Sequence, residues 1–169
     1  MSRARPVLRR LVHLFPAALL LAGACAVFEP EPFARERRAL ADARARWEHL
    51  GLVDYEFVYH AECNCLPELT RETVIRVRAG VVDSVWFVSG GSPQLVGEAS
   101  YPTIDELFDR IEAAYADPAA VVRATFDATR GFPRDAWLDR NRAAADDEFG
   151  FTVRSVSAAA VATSPSLAR

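Results

Sequence analysis

Tyr55-Glu56-Phe57-Val58-Tyr59-His60-Ala61-Glu62 leads into a tight Cys63-Asn64-Cys65 step, and Thr73-Val74-Ile75-Arg76-Val77-Arg78-Ala79-Gly80-Val81 follows eight residues on. Tyr55, Phe57, Tyr59 and Ala61 alternate with Glu56, Val58, His60 and Glu62, the period of two expected of a strand with one buried face. Thr73, Ile75 and Val77 alternate with Val74, Arg76 and Arg78 in the same way. Gly80 supplies the positive φ of a tight hairpin, and residues 81–88 return as a third strand. The stretch 55–88 therefore predicts a three-stranded antiparallel meander.

Outward from this meander, each flank supplies a helix. Upstream, Phe33, Leu40, Trp47 and Leu50 form an apolar stripe at helical spacing, and Gly51 is placed as a stop. Downstream, after a polar loop over 89–100, Thr103-Ile104-Asp105-Glu106 has capping-box spacing: the threonine oxygen and the glutamate each take an orphan backbone N–H. Ile104, Leu107, Phe108, Ile111 and Tyr115 then share one helix face, and Asp117-Pro118 ends it. Three more strand patterns follow at 121–127, 132–139 and 149–156. The order helix-βββ-helix-βββ, with one apolar face per element, predicts an α+β two-layer sandwich: an antiparallel sheet of about six strands with both helices on one side. The pattern leaves open whether the six strands form one sheet or two.

The ends of the chain read as an export address. Residues 1–10 carry Arg3, Arg5, Arg9 and Arg10 with no acid, and 11–24 are apolar apart from His13 and Pro16, the order of a signal peptide over 1–24. The run closes on Leu21-Ala22-Gly23-Ala24-Cys25, which resembles the lipobox of bacterial lipoproteins, in which the cysteine is acylated (palmitate among the acyl chains) and becomes the new N-terminus. Cys25 is then the lipidation site and membrane anchor, 25–32 a proline-bearing tether, 33–156 a single domain and 157–169 a disordered tail. The expected location is the bacterial cell envelope, with plain secretion as the second choice. An uncleaved span is disfavoured because crossing a bilayer takes about 20 apolar residues and Glu29 and Glu31 end this run.

The full chain has formal charge −3, from 20 basic and 23 acidic residues; loss of the four leader arginines leaves 16 against 23, or −7. So acidic a domain is a poor match for nucleic acid, whose phosphates demand a basic face. Every basic residue is arginine, which reads as coding bias more than as a set of sites.

Once Cys25 is lipidated, Cys63 and Cys65 are the only thiols left, and an oxidising compartment favours a bond between them. A bridge over about three residues stabilises by only roughly 1.6 kcal/mol in the entropy model, so it shapes a turn more than it staples the fold. An exchangeable redox pair is the competing reading. Zinc is weaker: His60 with both thiols gives three ligands and needs a distant fourth. His60, on the face opposite the tyrosines, is more often an exposed strand histidine than a base, and His49 suits the negative end of the first helix. The acids Asp135, Asp139, Asp146, Asp147 and Glu148 lack the ligand spacing of a calcium loop. Asp127 before Gly131 is a turn acid. No nucleophile elbow, phosphate loop, dinucleotide fingerprint or zinc-protease helix is present, so no catalytic residue, cofactor or metal site is assigned.

The elements resemble a bacterial domain-of-unknown-function family, number 6174, often carried on lipoproteins. The likeness spans about Trp47 to Val153 and rests on Asp54-Tyr55 with Phe57; Cys63-x-Cys65 with Pro67; Thr103-Ile104-Asp105-Glu106-Leu107-Phe108; Phe126-Asp127 ahead of Gly131-Phe132-Pro133; and Asp146-Asp147-Glu148 before Gly150-Phe151. Ala79-Gly80 stands where such proteins tend to have Asn-Gly or Asp-Gly. The resemblance implies no activity. The expected function is a lipid-anchored, non-enzymatic binding or scaffolding module whose sheet or loops contact a protein or small ligand, with Tyr59, Trp86 and Trp137 as candidates for an exposed aromatic patch. A thiol-disulfide redox protein using Cys63 and Cys65 is the alternative, and a metal-binding module the weaker one.

Overall fold

The computed structural model describes residues 31–91, 101–117, 121–140 and 148–159. The elements run α1 (Ala34–His49), β1 (Tyr55–Cys63), β2 (Thr73–Arg78), β3 (Val81–Phe87), α2 (Ile104–Tyr115), β4 (Val121–Phe126), β5 (Pro133–Asp139) and β6 (Glu148–Ala158). All six strands join one antiparallel sheet in the order β3-β2-β1-β6-β5-β4. The chain enters the sheet at its centre, meanders to one edge, crosses by way of α2 to the other edge, and meanders back to lie beside β1. One sheet, not two, is thus the answer to the question the strand patterns leave open.

Strand alternation sorts the residues. Tyr55, Phe57, Tyr59 and Ala61 of β1, Ile75 and Val77 of β2, Ala136 and Leu138 of β5, and Phe151, Val153 and Val156 of β6 are buried on one face. The helices cover that face. Ile104, Leu107, Phe108, Ile111, Ala114 and Tyr115 of α2 are buried, with Leu40, Ala43 and Trp47 of α1. Leu50 departs from the expected stripe: it caps α1 and is 39% exposed. The helices lock to each other by charge, since Arg44 of α1 pairs with Asp109 at 2.7 Å and Glu112 at 3.3 Å while lying 5.2 Å from the Phe108 ring centre.

The capping box at Thr103 is formed: its hydroxyl accepts from the Glu106 N–H at 3.2 Å, and Glu106 accepts from the Thr103 N–H at 2.7 Å. The β2–β3 turn has Ala79 at φ 49° and Gly80 at φ 79°, the two positive angles of a hairpin turn of the primed type. Asp54 and Val53 hold it from outside, accepting from the Ala79 N–H at 2.8 Å and the Gly80 N–H at 3.0 Å. Between β4 and β5, Asp127 accepts from the Thr129 and Arg130 N–H groups, the turn-acid role its position suggests.

The last strand runs past its expected end. β6 continues to Ala158, two residues beyond the expected domain end at 156, and the Ala159 N–H donates to the Asp54 carbonyl at 3.1 Å. The cause is an extra residue, Ser155 at φ 48°: Phe57 pairs with Val156 and Val58 with Arg154, so Ser155 has no partner and the period of two slips by one. The leader, Cys25 and the remainder of the tail lie outside the described residues. Among the described residues no helix is long and apolar enough to cross a membrane.

Candidate functional site

The helices occupy one face of the sheet, and among the described residues no element covers the other. Its side chains follow from the registers. Trp86, Val74, Val58 and Arg154 stand side by side across β3, β2, β1 and β6; Glu62, Gly150, Trp137 and Arg123 do the same across β1, β6, β5 and β4. Between these rows lie His60, Thr152, Asp135 and Thr125. Trp86, Trp137, Val58 and Val74 are all half-buried, screened only by their neighbours on the face.

Local contacts hold the two indoles in place. The Arg76 guanidinium lies 5.0 Å from the Trp86 ring centre and donates to Glu56 at 2.7 Å, so the cation is fixed between a carboxylate and a π-face. Trp137 lies over Gly150: a Cβ there would stand 2.8 Å from the indole and 3.2 Å from the Glu62 Cβ, so only glycine leaves the ring its seat. Arg154 pairs with Glu72. The face thus combines fixed aromatic surface with charges of both signs.

The sequence offers Tyr59, Trp86 and Trp137 as candidates for an exposed aromatic patch; the structure puts the two tryptophans on this face and separates Tyr59 from them. It is 3% exposed on the helix side, as its phase with Tyr55 and Phe57 demands. Burial pushes its hydroxyl up to about 12, although the Arg110 guanidinium opposes that shift. Thr152, Arg154 and Gly150 were not singled out as face residues, yet their alternation with the buried Phe151 and Val153 is the signal that places them there.

The Cys63 and Cys65 sulfurs lie 1.98 Å apart, at disulfide distance, with Cα atoms 5.2 Å apart at the end of β1. Both cysteines are half-buried, and the turn exposes Asn64 and Leu66. His60 stays on the uncovered face, its Nδ1 3.9 Å from Glu62, while Cys63 points to the helix side, so the three zinc candidates do not converge. Among the described residues no group of three His, Cys, Asp or Glu side chains is placed to hold a metal ion. Asp135 stands opposite Thr152 and Asp139 opposite Glu148, while Asp146 and Asp147 lie outside the described residues. His49 is the last residue of α1, as its structural role requires.

The model of a family of unknown function, DUF6174, matches residues 39–158, from the first buried turn of α1 to the last residue of β6. The chain belongs to DUF6174. The match takes in every strand, both helices except the first turn of α1, the cysteine pair and the whole uncovered face of this DUF6174 domain. No curated protein and no solved structure matches the chain.

Proposed function

We propose that this DUF6174 protein is a lipid-anchored component of the bacterial cell envelope that acts by binding another protein through the uncovered face of its sheet, without catalysis. The observation that carries the reading is the pair Trp86 and Trp137, half-exposed on a face that no described helix covers and seated by Arg76 and Gly150. Large rigid aromatics in a mixed-charge surround are the composition of protein–protein hot spots, where an indole buries much area at low entropic cost. The leader and lipobox supply the address. Nine residue steps separate Cys25 from Ala34, so a lipid on Cys25 keeps the start of α1 within about 30 Å of the bilayer surface.

The exposed turn around the Cys63–Cys65 pair favours a second reading, exchange of that bond with an envelope thiol. It differs from the first in needing a readily reduced disulfide.

Intact mass of protein extracted from membranes, with and without reduction and alkylation, tests the anchor and separates the two readings. The expected protein starts at Cys25, carries acyl mass there, and alkylates at Cys63 and Cys65 only after strong reduction. Unmodified Cys25 in a soluble fraction contradicts the anchor, and alkylation after mild reduction favours the redox reading.

A further inference from the structure

On its helix-covered face the sheet ends, at the Cys63–Cys65 turn, in a row formed by Cys63, Phe149, Leu138 and Val122, each opposite the next across the ladder. Over Phe149 and Leu138 opens a pocket of about 340 Å³ whose other walls are Arg110 of α2 and Arg140 at the end of β5. The Arg110 guanidinium sits 5.2 Å from the Phe149 ring centre, and its charge reaches the buried Tyr59 hydroxyl. No ion pair among the described residues involves either arginine, although Arg44, Arg76, Arg78 and Arg154 all have carboxylate partners.

Two cations without described acid partners, in a chain with net charge −3, converge on an apolar aromatic floor. A guanidinium presents its N–H donors in a planar fork that matches a carboxylate, and two of them around one opening select for negative charge. The floor selects for an apolar body, and the volume falls at the small end of ligand sites, roughly 300–1,000 Å³. We propose that this pocket binds a small organic carboxylate, with its charge between Arg110 and Arg140 and its apolar body against Phe149 and Leu138. The site lies on the side of the sheet opposite Trp86 and Trp137, so it stands or falls independently of the protein-binding face.

Benzoate is a suitable probe, with benzyl alcohol and inorganic phosphate as counter-probes, titrated calorimetrically into the full chain carrying Cys25→Ser and purified without detergent. Saturable benzoate binding is expected, at least tenfold tighter than either counter-probe and weakened at least tenfold by Arg110→Gln. Arg140→Gln, at an exposed position outside the core, is expected to weaken binding three- to tenfold with thermal unfolding unchanged, and so keeps the test decisive if Arg110→Gln disturbs the Tyr59 contact. Absence of saturable benzoate binding overturns the proposal. So does binding indifferent to Arg140→Gln, or matched by benzyl alcohol or by phosphate.

Discussion

The Tyr55 hydroxyl accepts a hydrogen bond from the Ile104 backbone N–H at 3.1 Å, tying the first residue of β1 to the first residue of α2. That N–H is one of the orphan donors of a helix start, and it is buried. Trp47 of α1 joins the same junction, its ring edge-on to Tyr55 at 5.2 Å and its Nε1 donating to Asp105 at 3.0 Å. Tyr55→Phe removes only the acceptor and strands the donor, so a loss of about 1–3 kcal/mol is expected in urea unfolding, with the m-value unchanged.

Alkaline pH tests the burial of the tyrosines. All four, Tyr55, Tyr59, Tyr101 and Tyr115, have hydroxyls pushed above the ordinary value near 10, in each case chiefly by burial, and Tyr59 reaches about 12. Above about pH 10 the unfolded chain releases phenolic protons that the folded one keeps. The stability these groups contribute is therefore complete below pH 10 and lost as pH rises toward 12 and beyond. Phenolate absorbance is expected to lag that of the urea-unfolded chain and then rise together with loss of near-ultraviolet dichroism; a smooth titration near 10 in the folded state contradicts it.

Ala79 occupies the first position of a turn that requires positive φ and favours asparagine there. The Asp54 carboxylate and Val53 carbonyl offset the misfit by accepting from the N–H groups of Ala79 itself and of Gly80. Ala79 is exposed, so Ala79→Asn is expected to stabilise by about 0.5–1 kcal/mol, read as a higher urea midpoint. A lower midpoint contradicts the turn assignment.

Gly131 meets two demands at once. Its φ is 86°, and a Cβ there would lie 2.1 Å from the Ala43 carbonyl oxygen of α1, a backbone atom that cannot swing aside. Gly131→Ala is expected to cost about 3 kcal/mol or more, because strain adds to displacement of the helix. Gly80→Ala has the same backbone strain with nothing within 4 Å, and is the milder control.

Particular residues show how far the sequence could be read. The alternation from Tyr55 onward identifies β1, β2 and their buried faces, and the capping box at Thr103 identifies α2, because both signals are local. Pairing is not local: β1 meets β6 across some ninety residues of chain, and periodicity shows which face a strand buries without naming its neighbour. Ser155 masks the end of β6, since one unpaired residue shifts the alternation and makes Ser157 and Ala158 look unpatterned. The two tryptophans were legible only as aromatic candidates, named together with Tyr59, which lies buried on the opposite face. The Arg110–Arg140 pocket was not, because it depends on α2 crossing over the ends of β5 and β6, and because arginine is so common in this chain that composition hides two that matter.

The central claim is that the uncovered face contacts another protein. A photo-reactive phenylalanine analogue at position 86 or 137, introduced into the lipidated protein in living cells, tests it most directly, with position 112 on the exposed side of α2 as control. Discrete adducts to one protein from 86 and 137, and none from 112, are the expected result; no adduct from any position, or the same adducts from both sides of the molecule, contradicts the account.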